Sequence, residues 1–166
     1  TKSNVITFSK QDKSNVGPEL PDAKMKLTLT NPAIVGENLE NVTTAGGRDV
    51  TKNAMLTEIT WTTAEENLKL TGLPDGDYTL EETRAPEGYD IITNFDFVVQ
   101  NGIVTRRSVD DVKVNAEGDF ITALDETLKT ISISKQDMSN LGPELPDAKM
   151  KLTLTKPAKE GATLEK

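Results

Sequence analysis

The sequence predicts an all-β domain, and three observations point that way. It is rich in Thr, with Gly and Pro placed as punctuation. Short segments alternate apolar and polar residues with a period of two, the signature of half-buried strands. Turn signals separate these segments, and patterns of helical period are scarce. Many short strands with turns between them give a β-sandwich.

The elements follow in order. Val5–Lys10 opens the chain as a strand, with Ile6, Phe8 and Lys10 on one face and Thr7 and Ser9 on the other. Asp12-Lys13-Ser14-Asn15 reads as a turn; its oxygen ligands have calcium-like spacing but lack the full EF-hand pattern. Lys24–Thr30 alternates cleanly, with Met25, Leu27 and Leu29 together. Residues 31–57 are polar, contain Gly46-Gly47 and form a long connection, with one short helix predicted around Glu37–Val42. Glu58–Thr62 places Ile59 and Trp61 on one face, and Leu68 and Leu70 lead to a turn at Gly72–Gly76. Tyr78–Glu82 is the next strand, closed by the Pro86-Glu87-Gly88 turn. Phe95–Val99 and Ile103–Thr105 flank Asn101-Gly102, a strong two-residue hairpin signal. Phe120–Asp125 is the last strand of the series.

After it the sequence restarts. ITFSKQD at 6–12 returns as ISISKQD at 131–137, and GPELPDAKMKLTLT at 17–30 returns unchanged at 142–155. Lys10 and Lys135 stand 125 positions apart, a period that means tandem domains. The expected division is a complete repeat at 1–129 and the N-terminal fragment of a second repeat at 130–166, with almost no linker between them. A fragment of about two strands is too small to bury a useful core.

Composition removes several function classes. A net charge of −8 and a pI of about 4.7 disfavour nucleic acid and anionic membranes as partners. With no Cys there is neither disulfide nor thiolate chemistry, and with no His the commonest general base and transition-metal ligand are missing. No apolar run reaches the length of a membrane span. No cofactor and no metal are expected.

The chemistry lies in three misplaced charges. Lys10 continues the Ile6–Phe8 stripe, Glu82 continues Tyr78–Leu80, and Asp125 continues Ile121–Ala123. Their neighbours Glu81 and Glu126 fall on the opposite faces. Burying such groups is costly without compensation. A plain alternative is that these faces meet solvent or that long side chains reach water from strand ends. Another is a structural buried ion pair.

Two strings resemble the Cna B-type domains of Gram-positive surface adhesins and pilins. One is Phe8-Ser9-Lys10-Gln11-Asp12 followed by Leu20-Pro21-Asp22-Ala23-Lys24-Met25-Lys26-Leu27. The other is Leu73–Tyr89, with the specific pattern Y-x-L-x-E-x-x-A-P-x-G-Y. Ile121–Asp125 is similar to the closing strand of such domains, and the resemblance spans 5–126 and restarts at 131. It implies an immunoglobulin-like (Cna B-type) sandwich with an intramolecular isopeptide bond. Carried over, Lys10 is the nucleophile, Asp125 the acceptor and Glu82 the proton mediator. Many family members use Asn as acceptor; Asp releases water instead of ammonia.

General chemistry says why such a site must be dry. Apolar burial disfavours the charged forms of amines and carboxylic acids alike. A neutral amine can then attack a protonated carboxyl group that a second acid polarises. Folding supplies proximity, and Phe8 and Tyr78 are expected to exclude water. The event occurs once per molecule, so no enzymatic turnover is expected. Lys135 is expected to stay unreacted, because neither the glutamate motif nor the closing strand recurs after it.

The resulting expectation is a structural stalk or spacer domain of a cell-wall-anchored Gram-positive surface protein. Its partners would be neighbouring tandem domains, with host proteins or glycans engaged through other domains, and it would be a monomer. Two alternatives stay open: a ligand-binding adhesin domain using 31–57, and a module that exchanges strands between molecules. The 31–57 segment has no aromatic residue, which weighs against the first. A glycosidase-like carboxylate pair has no substrate cleft to go with it. Asn41-Val42-Thr43 is a formal glycosylation sequon, irrelevant in a bacterium.

Overall fold

The computed structural model describes residues 4–158, 163 and 164. The chain divides into two units between Leu128 and Lys129. The first unit contains β1 (Val5–Asp12), β2 (Asn15–Glu19), β3 (Lys24–Pro32), β4 (Thr43–Thr44), β5 (Thr51–Lys52) and β6 (Glu58–Thr62). It continues with β7 (Leu68–Thr71), β8 (Gly76–Arg84), β9 (Phe95–Gln100), β10 (Ile103–Val104), β11 (Val112–Val114) and β12 (Phe120–Asp125).

These strands form two sheets of a sandwich. One has the order β11-β12-β1-β7-β4, with β2 folded back on the far end of β1. The other has the order β10-β9-β8-β3-β6-β5. The core lies between them: Ile6, Phe8, Leu68, Leu70 and Ile121 come from the first sheet, and Met25, Leu27, Ile59, Leu80, Phe95 and Phe97 from the second.

β1 is central in its sheet. β12 runs parallel to it on one side, pairing Thr7 with Phe120 through Asp12 with Asp125. β7 runs antiparallel on the other side against Val5–Phe8. That position explains why Thr7 and Ser9 are buried along with the apolar residues between them. Ser9 donates its hydroxyl to Glu19 Oε1 at 2.5 Å, and the Lys10 amide donates to Glu19 Oε2 at 3.0 Å. One carboxylate on β2 thereby pins that strand onto β1.

The Asn101-Gly102 turn joins β9 to β10 with positive φ at both residues, 54° and 77°, as a type I′ hairpin requires. The predicted helix at Glu37–Val42 does not form. Leu39 and Val42 are buried, but the Leu39 amide bonds to the Leu56 carbonyl, and Val42 closes only a tight turn back to Leu39. Tertiary anchoring to Leu56 replaces the helical ladder. The 31–57 connection instead carries β4, β5 and one 3-10 turn at Ala45–Gly47.

The second unit holds a hairpin of β13 (Gln136–Asp137) and β14 (Asn140–Glu144). It repeats the local bonds of β1–β2: Ser134 donates to Glu144 Oε1, and the Lys135 amide donates to Glu144 Oε2 at 3.1 Å. Ile131–Lys135 and Lys149–Thr155, whose counterparts form β1 and β3, are not strands here.

Candidate functional site

The pleat and the register bring three ionisable side chains to one buried point. On β1, Lys10 follows Ile6 and Phe8 on the inward face. β12 pairs Lys10 with Ala123 and Asp12 with Asp125, so Asp125 is the next inward residue along the parallel neighbour. Glu82 arrives from the opposite sheet, two positions beyond Leu80 on β8 and paired with Met25. All three residues are buried, at 2%, 0% and 2% exposure for Lys10, Asp125 and Glu82.

Lys10 Nζ contacts Asp125 Oδ1 directly and lies 3.7 Å from Glu82 Oε1. Glu82 Oε2 accepts a hydrogen bond of 2.9 Å from the amide of Ile92. Burial is the largest influence on Glu82 and raises its pKa; the charge of Lys10 opposes this and that of Asp125 reinforces it. The result is a pKa pushed up to about 8. Burial thus favours the neutral acid form of Glu82, which can donate a proton. The backbone of Asp125 is fixed as well, since its carbonyl accepts from the Lys13 amide at 2.8 Å.

The same alternation sends the adjacent acids outward. Glu81 pairs with Lys26 at 3.0 Å, and Glu126 pairs with Lys13 at 3.1 Å. Lys135 is exposed.

Aromatic and aliphatic side chains pack on one flank of Lys10. Phe8 packs edge-to-face on Trp61, with ring centroids 5.7 Å apart. A cavity of about 10 Å³ beside Lys10, the size of one water, is lined by apolar Phe8, Met25, Trp61 and Leu80 and also by polar Glu19, Arg48 and Thr63. Tyr78 lies further along β8, with Leu80 between it and Glu82; it stacks on Phe97 at 5.5 Å and donates its hydroxyl to the Pro74 carbonyl. Phe8 and Trp61 line the cavity beside Lys10, and Tyr78 is buried further along the core. Sharing a face with Ile59 was the signal that Trp61 points inward. No sequence signal marks the Ile92 amide as the partner of Glu82.

The Asp12–Asn15 segment is a hairpin turn. Asp12 Oδ1 accepts from the Ser14 amide at 2.8 Å and from the Ser14 hydroxyl at 2.7 Å, an Asx turn that uses the oxygen internally.

No curated protein sequence matches the chain. Several solved structures resemble it weakly. The pilus adhesin RrgA from Streptococcus pneumoniae is 23% identical, with a TM-score of 0.48 over 78% of this chain and 16% of that one. The C-terminal fragment of the pilus adhesin SpaC from Lactobacillus rhamnosus GG is 20% identical, with a TM-score of 0.46 over 80% and 48%. The group B streptococcus pilus 2b backbone protein is 21% identical, with a TM-score of 0.44 over 76% and 42%. This chain spans less than half the length of each. One family description, the SpaA prealbumin-like fold domain, matches residues 4–113 and so takes in β1–β10 and the start of β11, together with Lys10 and Glu82. With most of the sandwich inside that match, the chain belongs to the family of SpaA prealbumin-like fold domains.

Proposed function

We propose that this chain is a stalk segment of a Gram-positive cell-surface adhesin or pilus protein, whose first unit closes itself with an amide between Lys10 and Asp125. The observation that carries this reading is the direct contact of Lys10 Nζ with Asp125 Oδ1 beside Glu82, all three buried, where burial raises the pKa of Glu82. An ion pair serving stability alone is a poor use of that interior, because the cost of desolvating two charges offsets their attraction.

The step balances as a condensation. A proton first passes from Lys10 Nζ to the Asp125 carboxylate it contacts; the resulting neutral amine attacks the carboxyl carbon of protonated Asp125, and a C–N bond forms. Glu82 donates a hydrogen bond to the developing oxyanion and carries a proton from nitrogen to the leaving hydroxyl. The C–OH bond breaks and one water departs. The product is a neutral amide, so the burial cost of both charges disappears and no co-reactant is needed. The domain acts on itself once and has no turnover.

Tandem repetition supports the stalk reading. The second unit begins a copy of the first, an arrangement suited to a spacer of repeated links. Intact-mass measurement tests the chemistry. The expected mass is one water below that of the sequence, with the full mass restored in Lys10→Ala and Glu82→Ala. Digestion should yield one branched peptide joining Lys10 to Asp125, with Lys135 open to trypsin. An unmodified wild-type mass refutes the crosslink.

A further inference from the structure

One segment of the β8–β9 connection touches the surroundings of all three buried groups. The Ile92 amide holds Glu82 Oε2. Two residues earlier, the Asp90 amide donates to the Glu126 carbonyl at 2.9 Å. Tyr89 forms a β-bridge with Thr127, and the Leu128 amide donates to the Gly88 carbonyl at 2.8 Å. Residues 88–90 therefore clasp the chain as it leaves Asp125. The third tie is a side chain: the Tyr89 hydroxyl donates to Asp12 Oδ2 at 2.7 Å. Asp12 is the register partner of Asp125 and lies two residues beyond Lys10 on β1.

We infer that Tyr89 is a positioning residue for the Lys10–Asp125 condensation, closing the end of the sandwich by its hydrogen bond to Asp12. The inference rests on the crosslink reading above. Tyr89 spans from the loop of one sheet to the end of β1 in the other. The Tyr89 residue is half-buried at the end where β1 and β12 both finish. Asp12 is well suited to hold it. Hydrogen bonds from Ser14 and Tyr89 keep its carboxyl below the usual range, so it stays an ionised acceptor at neutral pH. The hydrogen bond to Asp12 is the main cause raising the pKa of the Tyr89 hydroxyl, with a smaller push from the charge of Asp125.

The effect reaches Glu82 through solvent. Burial is the main cause of its raised pKa, and the ionisable groups acting on it are Lys10 on β1 and Asp125 on β12. Opening the end admits water and weakens the burial contribution. Loss of the Tyr89 hydroxyl should then slow condensation and also shift its pH profile. If closure is needed for reaction, loss of this hydrogen bond should slow condensation about tenfold.

The test follows water loss by intact mass during cell-free synthesis of the full chain, with samples quenched in denaturant at intervals and across a pH series. Tyr89→Phe, Asp12→Ala and the double variant form a cycle, with Ser14→Ala as the control for the turn. Melting of Lys10→Ala with and without Tyr89→Phe reports stability without the crosslink. The expected result is about tenfold slowing in Tyr89→Phe, no further slowing in the double variant beyond Asp12→Ala, and an alkaline fall in rate that begins at lower pH. Melting in the Lys10→Ala background should stay unchanged. Wild-type rate and profile in Tyr89→Phe overturn the positioning role, and so does a slowing matched by a lower melting temperature with an unmoved profile. A wild-type chain that never loses water overturns the crosslink itself and this inference with it.

Discussion

Replacing Glu82 with Gln should separate the worth of the covalent bond from that of the folded site. Gln keeps the volume and can still accept from the Ile92 amide that holds Glu82 Oε2. It cannot act as the acid, so Lys10 and Asp125 should remain an unlinked buried pair. The proposed crosslink would join residues 10 and 125, whose side chains are in contact, closing a loop on the order of 100 residues. In the chain-entropy treatment used for disulfides, such a loop is worth about 5 kcal/mol. For a domain of this size, each kcal/mol moves the melting temperature by roughly 4 °C, so Glu82→Gln should melt about 20 °C below wild type. Calorimetry is the assay, on samples whose masses confirm one linked and one unlinked form. An unlinked Glu82→Gln that melts within about 5 °C of wild type would refute the chain-entropy reasoning. A Glu82→Gln that still loses water would remove Glu82 from the mechanism.

Other predictions concern pH and backbone. Condensation should slow above about pH 8, where Glu82 gives up its proton; a rate still rising there would count against its acid role. In unlinked Lys10→Ala, the folded pKa of Glu82 lies above its ordinary 4.5, so the folded state holds its proton more tightly than the unfolded state. Stability is then fully present below about pH 4.5 and is lost as pH rises through 8 and beyond, since Lys10 no longer draws the value down. Urea titrations from pH 4 to 9 would show this, and a flat profile would contradict it. Gly76→Ala should destabilise by about 3 kcal/mol. With φ at +153°, a Cβ there would sit 2.5 Å from the Asn31 carbonyl oxygen and 2.9 Å from Pro32 Cα. Denaturant melts of the variant measure the loss.

Alternation along single strands was enough to find Lys10, Glu82 and Asp125 and to set aside Glu81 and Glu126, because a pleat sorts neighbours without knowledge of the partner strand. It could not say which strand neighbours which. The parallel pairing of β1 with β12 depends on contacts across more than a hundred residues. β2 was missed because Gly17 and Pro18 interrupt it, which a strand pairing only with β1 can tolerate. β11 is only three residues long, and β4 and β5 only two each, too short for a period to register. The short helix expected around Glu37–Val42 is absent, and Leu39 and Val42 are instead buried in the core. Ile131–Lys135 makes the point most sharply. Nearly the same residues form a strand at 6–10, where β7 and β12 flank them, and none at 131–135.

The parallel pairing of β1 with β12 also imposes an order of events on synthesis. The β1–β2 hairpin needs only residues within about ten positions of one another and can form as soon as they leave the ribosome. The other side of β1 stays an open edge until Asp125 has been made, at the very end of the unit. The next apolar strand sequence to emerge, at Ile131, is a near-copy of β1 itself. Placing the closing strand before that copy lets each link take its own last strand first, and a finished bond would then mark a unit whose synthesis and pairing are both complete.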